Sequence, residues 1–379
     1  MALEAILSQP FLSLLHMSFK QAGKSALIRL IVPLTIIVLI KILAINSLWI
    51  EKYYSTGFFP LISGSLRIVN GWLPVSVGDI LYFLAGGWLL YKIGRFFIKI
   101  FRKKSGGKMF LAGVLRIFLT AMVIYIVFNI FWGLNYNRKG IAYQLNLART
   151  GYDTADLKNI QQLLIQKVNQ RKQALVYKHE IYPGNKELFS RAYNCYRQSE
   201  PLYPFLQYNH ESVKASLYGQ LGNYLGFTGY YNPFTGEAQL NTTVPRFLLP
   251  YTTCHEIAHQ LGYAKEDEAN FAGYLSATSS TDTLFHYSAY LDLFLYANRE
   301  LFFVDSTSAK DAYKQLIPEV KADLKEFKEF LLSHRNPVEP LITWLYGKYL
   351  KANQQPDGMR TYNEVIADLI AFYKKTGRI

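Results

Sequence analysis

The segment His255-Glu256-Ile257-Ala258-His259, followed by Gln260-Leu261-Gly262-Tyr263-Ala264-Lys265 and then Glu266-Asp267-Glu268-Ala269-Asn270, governs the reading of this 379-residue chain. Pro250 and the pair Thr252-Thr253 suit a helix start. Leu261-Gly262 suits its stop, with glycine in the left-handed position. On such a helix His255 and His259 lie one turn apart on one face. Two imidazoles so placed grip a single Zn²⁺, and Glu256 stands beside it as general base. A helix with two merely hydrogen-bonded histidines would not need to stop just after His259, where the chain can turn back and present an acid.

Three acids compete for the third ligand position. Glu266 and Asn270 are one helical turn apart, which suits Glu266 to the metal and Asn270 to a hydrogen bond that fixes a ligand imidazole. Asp267 points about 100° and Glu268 about 200° away from Glu266 on a helix, so one of the three faces the metal. The motif followed by Glu266-Asp267-Glu268-Ala269-Asn270 resembles the gluzincin peptidases. The resemblance implies that Glu266, on a second helix, is the third ligand. The usual gluzincin linker is longer than the one between His259 and Glu266, and Glu268 remains the alternative. The metzincin pattern fails at Lys265, which stands where its third ligand belongs.

The net charge of +14 is unevenly placed. Residues 1–150 hold 17 Lys and Arg against three acids, Glu4, Glu51 and Asp79, whereas residues 151–379 hold 24 of each sign. The basic half is also the apolar half, so its charges flank membrane spans and a nucleic-acid partner is not expected. Apolar stretches at about 30–50, 75–97 and 111–132 each have the roughly 20 residues that a bilayer requires. The first lacks the flanks and cleavage site of a signal peptide. Lys92, Arg95, Lys99, Arg102, Lys103, Lys104 and Lys108 make the second connection cytoplasmic, with the N-terminus. The C-terminal part is then extracytoplasmic. The first 19 residues suit a membrane-surface helix, although Pro10 interrupts it.

These patterns divide the chain into a membrane domain, 1–133, and an extracytoplasmic domain, 134–379. The expected fold is mainly α. A three-helix transmembrane region precedes an α+β, mostly helical zincin-like domain with a small β-hairpin. Helices are expected over 154–175, 185–198, 212–224, 266–279, 283–303, 308–334, 337–353 and 360–375, from apolar periodicity and caps. Residues 226–241 read as a hairpin turning at Asn232-Pro233-Phe234-Thr235-Gly236. Its segment 238–243 is the candidate for pairing with extended substrate. Cys195 and Cys254 are expected as free thiols, Cys254 as a small core residue. For the donor that steadies a tetrahedral oxyanion, Tyr287 and His286 are the candidates, with Tyr230 and Tyr231 as rivals.

Further resemblance lies in Asn70-Gly71-Trp72-Leu73-Pro74-Val75-Ser76-Val77-Gly78-Asp79, in Gly133-Leu134-Asn135-Tyr136-Asn137-Arg138, in Gly229–Asn241 and in Cys254–Gly262. Together they resemble a bacterial domain-of-unknown-function family of polytopic membrane proteins with an extracytoplasmic HExxH domain. That resemblance implies a multi-pass inner-membrane location and a zinc site, and no substrate. The expected activity is zinc-dependent hydrolysis of peptide bonds in a protein or peptide substrate. Catalytic Glu256 and Tyr287 serve a metal on His255, His259 and Glu266. The other reading is a non-catalytic sensor or envelope assembly factor that keeps a zincin fold.

Overall fold

The computed structural model describes residues 24–101, 107–149, 151–356, 358 and 364–379. The surface helix expected from the first 19 residues lies outside them. The described chain is mainly helical with one small sheet. Its first part forms α1 (Lys24–Ile45), α2 (Phe59–Gly71), α3 (Val77–Phe101) and α4 (Gly107–Phe131). A single turn, Ser47–Trp49, and a π-helical stretch, Ile50–Phe58, lead into α2.

Two units divide the molecule. One holds the described residues up to Asn46 together with Gly86–Ile130. In it, Leu27–Ile45 of α1 and Ala112–Phe131 of α4 are long and apolar enough to cross a membrane, and few of their residues are buried. The expected second span coincides with α3, but Gly86, Gly87, Trp88, Tyr91, Lys92 and Arg95 dilute its apolar content. Two described helices, not three, therefore meet the requirement by length and composition.

The other unit joins Ser47–Ala85 to Phe131–Ile379, so the division expected at 133/134 is corrected. The physical reason is a set of buried polar contacts between segments far apart in sequence. Arg138 grips Glu51 with two hydrogen bonds, Nε to Oε2 at 3.0 Å and Nη2 to Oε1 at 2.8 Å. The same carboxylate accepts from the Lys139 backbone and from Gln144. Glu237 accepts from the backbone N–H groups of Val77 and Gly78 at the start of α3, where the helix dipole favours an anion.

From Phe131 onward this unit contains α5 (Thr154–Tyr177), α6 (Asn185–Ser199), β1 (Val213–Ala215), α7 (Gly219–Leu225), β2 (Gly229–Asn232) and β3 (Glu237–Leu240). It continues with α8 (Leu249–Gln260), α9 (Glu266–Ser279), α10 (Thr283–Val304), α11 (Ser306–Lys314), α12 (Pro318–Ser333), α13 (Glu339–Ala352) and α14 (Val365–Thr376). A reciprocal pair of hydrogen bonds between Asp153 and Asp156 caps α5. Its apolar stripe, Leu157, Ile160, Leu164 and Val168, is buried in a core shared with α10.

Three expected helices are revised. Residues 212–224 contribute strand β1 and only then α7, because Val213–Ala215 pair in parallel with Ala238–Leu240. The segment 308–334 is two helices, with Pro318 opening the second. The last helix begins at Val365, and residues 359–363 lie outside the described part.

The sheet runs β1-β3-β2, with β2 antiparallel to β3. The expected hairpin is present, closed by the Gly236 N–H donating to the Asn232 carbonyl at 2.9 Å, with Gly236 at φ +69°. The segment expected to pair with substrate is corrected: β3 is central and both its edges are taken. α8 packs on β3 and β2, and against α9 and α10.

Candidate metal centre

Pro250 stands in the first turn of α8, and the helix ends at Gln260. Gly262 follows at φ +88°, where a Cβ would press on the Phe59 ring at 2.9 Å. This reversal brings Glu266, the first residue of α9, back to α8. Its Oε2 lies 3.3 Å from Nε2 of His255 and 3.6 Å from Nε2 of His259. The ligand atoms of the three residues all lie within 4.8 Å of one another.

His259 and Glu266 are held from outside, whereas Nδ1 of His255 has no hydrogen-bond partner among the described residues. Nδ1 of His259 donates to the Tyr263 carbonyl at 2.7 Å, which leaves Nε2 to face Glu266. The Trp132 ring meets His259 edge-on, with centroids 5.9 Å apart. Oε1 of Glu266 accepts from the Tyr346 hydroxyl at 2.9 Å, and the Glu266 N–H donates to the Gln355 side chain at 3.1 Å. Tyr346 stacks on Tyr349, whose hydroxyl lies 3.0 Å from that of Tyr136.

Burial works against the charge on Glu266, yet the hydrogen bonds and charges of His255 and His259 prevail and hold its carboxyl well below the usual range. Burial also opposes the charge on His259, and Glu266 outweighs it, raising the imidazole to about 9. Two imidazole nitrogens and one carboxylate oxygen gathered this closely could hold a metal ion.

Glu256 is buried beside this cluster, and its Oε2 has no hydrogen-bond partner among the described residues. Burial pushes its carboxyl up to about 7, against the lowering influence of the two histidines. Gly229, the first residue of β2, packs directly on it: a Cβ there would come within 2.4 Å of Oε1 of Glu256.

The three acids of α9 fan apart as the helical repeat requires. Asp267 pairs with Arg149 at 3.0 Å. Glu268 pairs with Lys265 at 3.3 Å and fills the space over Gly140, where a Cβ would meet it at 2.0 Å. Glu266, and not Glu268, is the acid at the histidines.

Other expected site residues are placed elsewhere. The Tyr287 hydroxyl donates to Asp323, and Lys172 sits over its ring at 5.0 Å, so it is committed away from the cluster. His286 is engaged by the Ser280 carbonyl, and Tyr230 by Asp79. Tyr231, by contrast, stays beside the cluster: its ring packs on Trp132, centroids 4.6 Å apart, and Trp132 is the ring that meets His259. Nδ2 of Asn270 has no hydrogen-bond partner among the described residues, and the expected bond to a ligand imidazole is not among their hydrogen bonds. Tyr346, 80 residues beyond Glu266, was missed because its helix reads as one more aromatic core segment. Cys195 and Cys254 are buried free thiols.

No curated protein and no solved structure matches this chain. A family model described as "Protein of unknown function (DUF3810)" matches residues 54–370. That match covers Glu51's neighbours in the first connection, the whole His255–Glu266 cluster and Tyr346, and the chain belongs to this family.

Proposed function

We propose that this chain is a membrane-anchored, zinc-dependent metallopeptidase acting outside the cytoplasm. The observation that carries the reading is the meeting of His255, His259 and Glu266 beside a buried Glu256 whose Oε2 lacks a partner among the described residues. Nε2 of each histidine and Oε2 of Glu266 would hold the zinc. When bound, zinc acidifies water and polarises a carbonyl. Glu256 accepts a proton from the attacking water and passes it to the leaving amine. Tyr263 and Tyr346 fix His259 and Glu266 from outside.

α1 and α4 are long and apolar enough to cross, and the division into units supports a third crossing by α3. Residues 47–76 and 131–379 fall in one unit, which supports one common side of a membrane for them. If α4 crosses, the chain must have crossed back through α3 first. The outward apolar residues of α3, among them Phe83, Leu84, Leu89 and Leu90, support lipid around it. The basic stretch 92–108 would then lie in the cytoplasm, and the metal centre on the opposite face.

The test uses the full chain in detergent, wild type beside Glu256→Gln. Zinc is measured by mass spectrometry and cleavage by incubation with a peptide library. Near-stoichiometric zinc in both proteins and cleavage by wild type alone is the expected result. A folded wild type that takes no zinc, or cleavage that survives Glu256→Gln, defeats the proposal.

A further inference from the structure

Helix α2 is amphipathic the wrong way round for water. Beyond Phe59, its inward face is polar. Ser63 Oγ donates to the Gln260 carbonyl at 2.7 Å, Arg67 donates to the same carbonyl at 3.0 Å and to that of Asn209 at 3.1 Å, and Asn70 donates to Thr235 at 2.8 Å. Its outward face carries Leu61, Ile68, Val69 and Trp72, exposed by 67, 56, 62 and 75%. A helix on a water-soluble protein shows the opposite pattern, with its apolar stripe inside.

From Tyr53 to Val75 the only charged side chain is Arg67, and it is turned inward. The outward surface of this stretch therefore has no charge. It also follows α1 and precedes α3, the two segments whose own apolar side chains are exposed. At 13 residues α2 is about 20 Å long, too short to cross a bilayer. A tryptophan at one end of an apolar face is a mark of the membrane–water boundary.

We infer that the outward face of α2 lies in the lipid bilayer, as a half-buried interfacial helix between the first two crossings. The inference rests on the membrane reading of α1 and α4 and is independent of peptidase activity. It also connects lipid to the metal centre. The carbonyl that Ser63 and Arg67 hold belongs to Gln260, the last residue of the helix that carries His255 and His259.

The full chain is reconstituted in phosphatidylcholine–phosphatidylglycerol vesicles with a nitroxide at Ile68→Cys or Val69→Cys. The native thiols are buried, and the labelled unsubstituted chain serves as blank. Collisions with oxygen, which partitions into lipid, are compared with collisions with a water-soluble nickel chelate. Labels at Val38→Cys in α1 and Lys178→Cys past α5 are the lipid and water references; both positions are exposed. Oxygen should dominate at 68 and 69, by about the ratio seen at 38. Nickel dominance, as at 178, would place the face in water and overturn the inference. Exclusion of both reagents, with an immobilised line shape, would place a second copy there and equally overturn it. If the cysteine variants do not fold, quenching of indole emission by brominated lipid reads the same face as wild type minus Trp72→Phe, and an absence of quenching overturns the inference.

Discussion

The Tyr346 hydroxyl donates to Oε1 of Glu266, the oxygen that does not face the histidines. It thereby fixes the carboxylate so that Oε2 points at both imidazoles. Partners of this kind, one bond outside a metal site, set ligand orientation and basicity. Tyr346→Phe should weaken zinc affinity by about 10–100-fold without unfolding the protein. A competition titration against a chelator measures this, and an unchanged affinity would show that the contact is incidental.

Two carboxylates on α9 separate ligand from scaffold. Glu266→Ala should abolish stoichiometric zinc binding. Glu268→Ala should keep it, since Glu268 is spent on Lys265 and packs over Gly140. Metal content of the two purified full-length variants decides between them. Retention by the first and loss by the second would reverse the assignment.

Gly229 has no room for a side chain because Glu256 occupies the place of its Cβ. Gly229→Ala must displace that carboxylate, and a misplacement of about 1 Å can cost about 10²-fold in rate. The expected result is a loss of that order in peptide cleavage with zinc content unchanged. Full activity would mean that Glu256 tolerates the shift and is not the base.

The Glu51–Arg138 pair should govern stability. Both side chains are buried, at 8% and 2% exposure. Removing one partner of such a pair costs about 3–5 kcal/mol, because the other charge is left buried alone. Glu51→Ala should therefore lower the melting temperature in detergent by many degrees. A segment beginning at residue 134, which lacks Glu51, should fold poorly.

The same pair predicts acid sensitivity. Burial alone would raise the Glu51 carboxyl, but its bonds to Arg138, Gly140 and Gln144 leave it below its ordinary value of 4.5. A group whose folded value is depressed contributes stability above the unfolded value and loses it as pH falls through the folded one. The contribution is thus whole at neutral pH and fades below about 4.5. Thermal melts from pH 7 to 3.5 should show a steeper fall for wild type than for Glu51→Gln, and parallel curves would rule out this linkage.

Much of the centre was legible because it is local. His255 and His259 are related by one helical turn, Gly262 by a backbone angle that glycine adopts freely, and Glu266 by a short reversal. Tyr287 was a reasonable donor by proximity in sequence. However, α10 turns its hydroxyl to Asp323 and Lys172, whereas α13 delivers Tyr346. No periodicity distinguishes these two tyrosines, since both sit in aromatic helical stretches.

The sequence by itself determined the helix of His255 and His259 with its stop at Gly262, the Asn232–Gly236 turn, and the long apolar stretches of α1 and α4. Each follows from side-chain period, backbone preference or bulk hydropathy, which act over a few turns of chain. Only the tertiary structure decided that Ser47–Ala85 folds with the C-terminal part, that β3 is closed on both edges, and that α2 turns its polar side inward. Those outcomes depend on which buried donors find which distant acceptors: Arg138 and Glu51, Arg67 and Gln260, Gly78 and Glu237. A buried polar group without a partner is costly wherever the partner lies in the chain, and sequence distance carries no record of that cost.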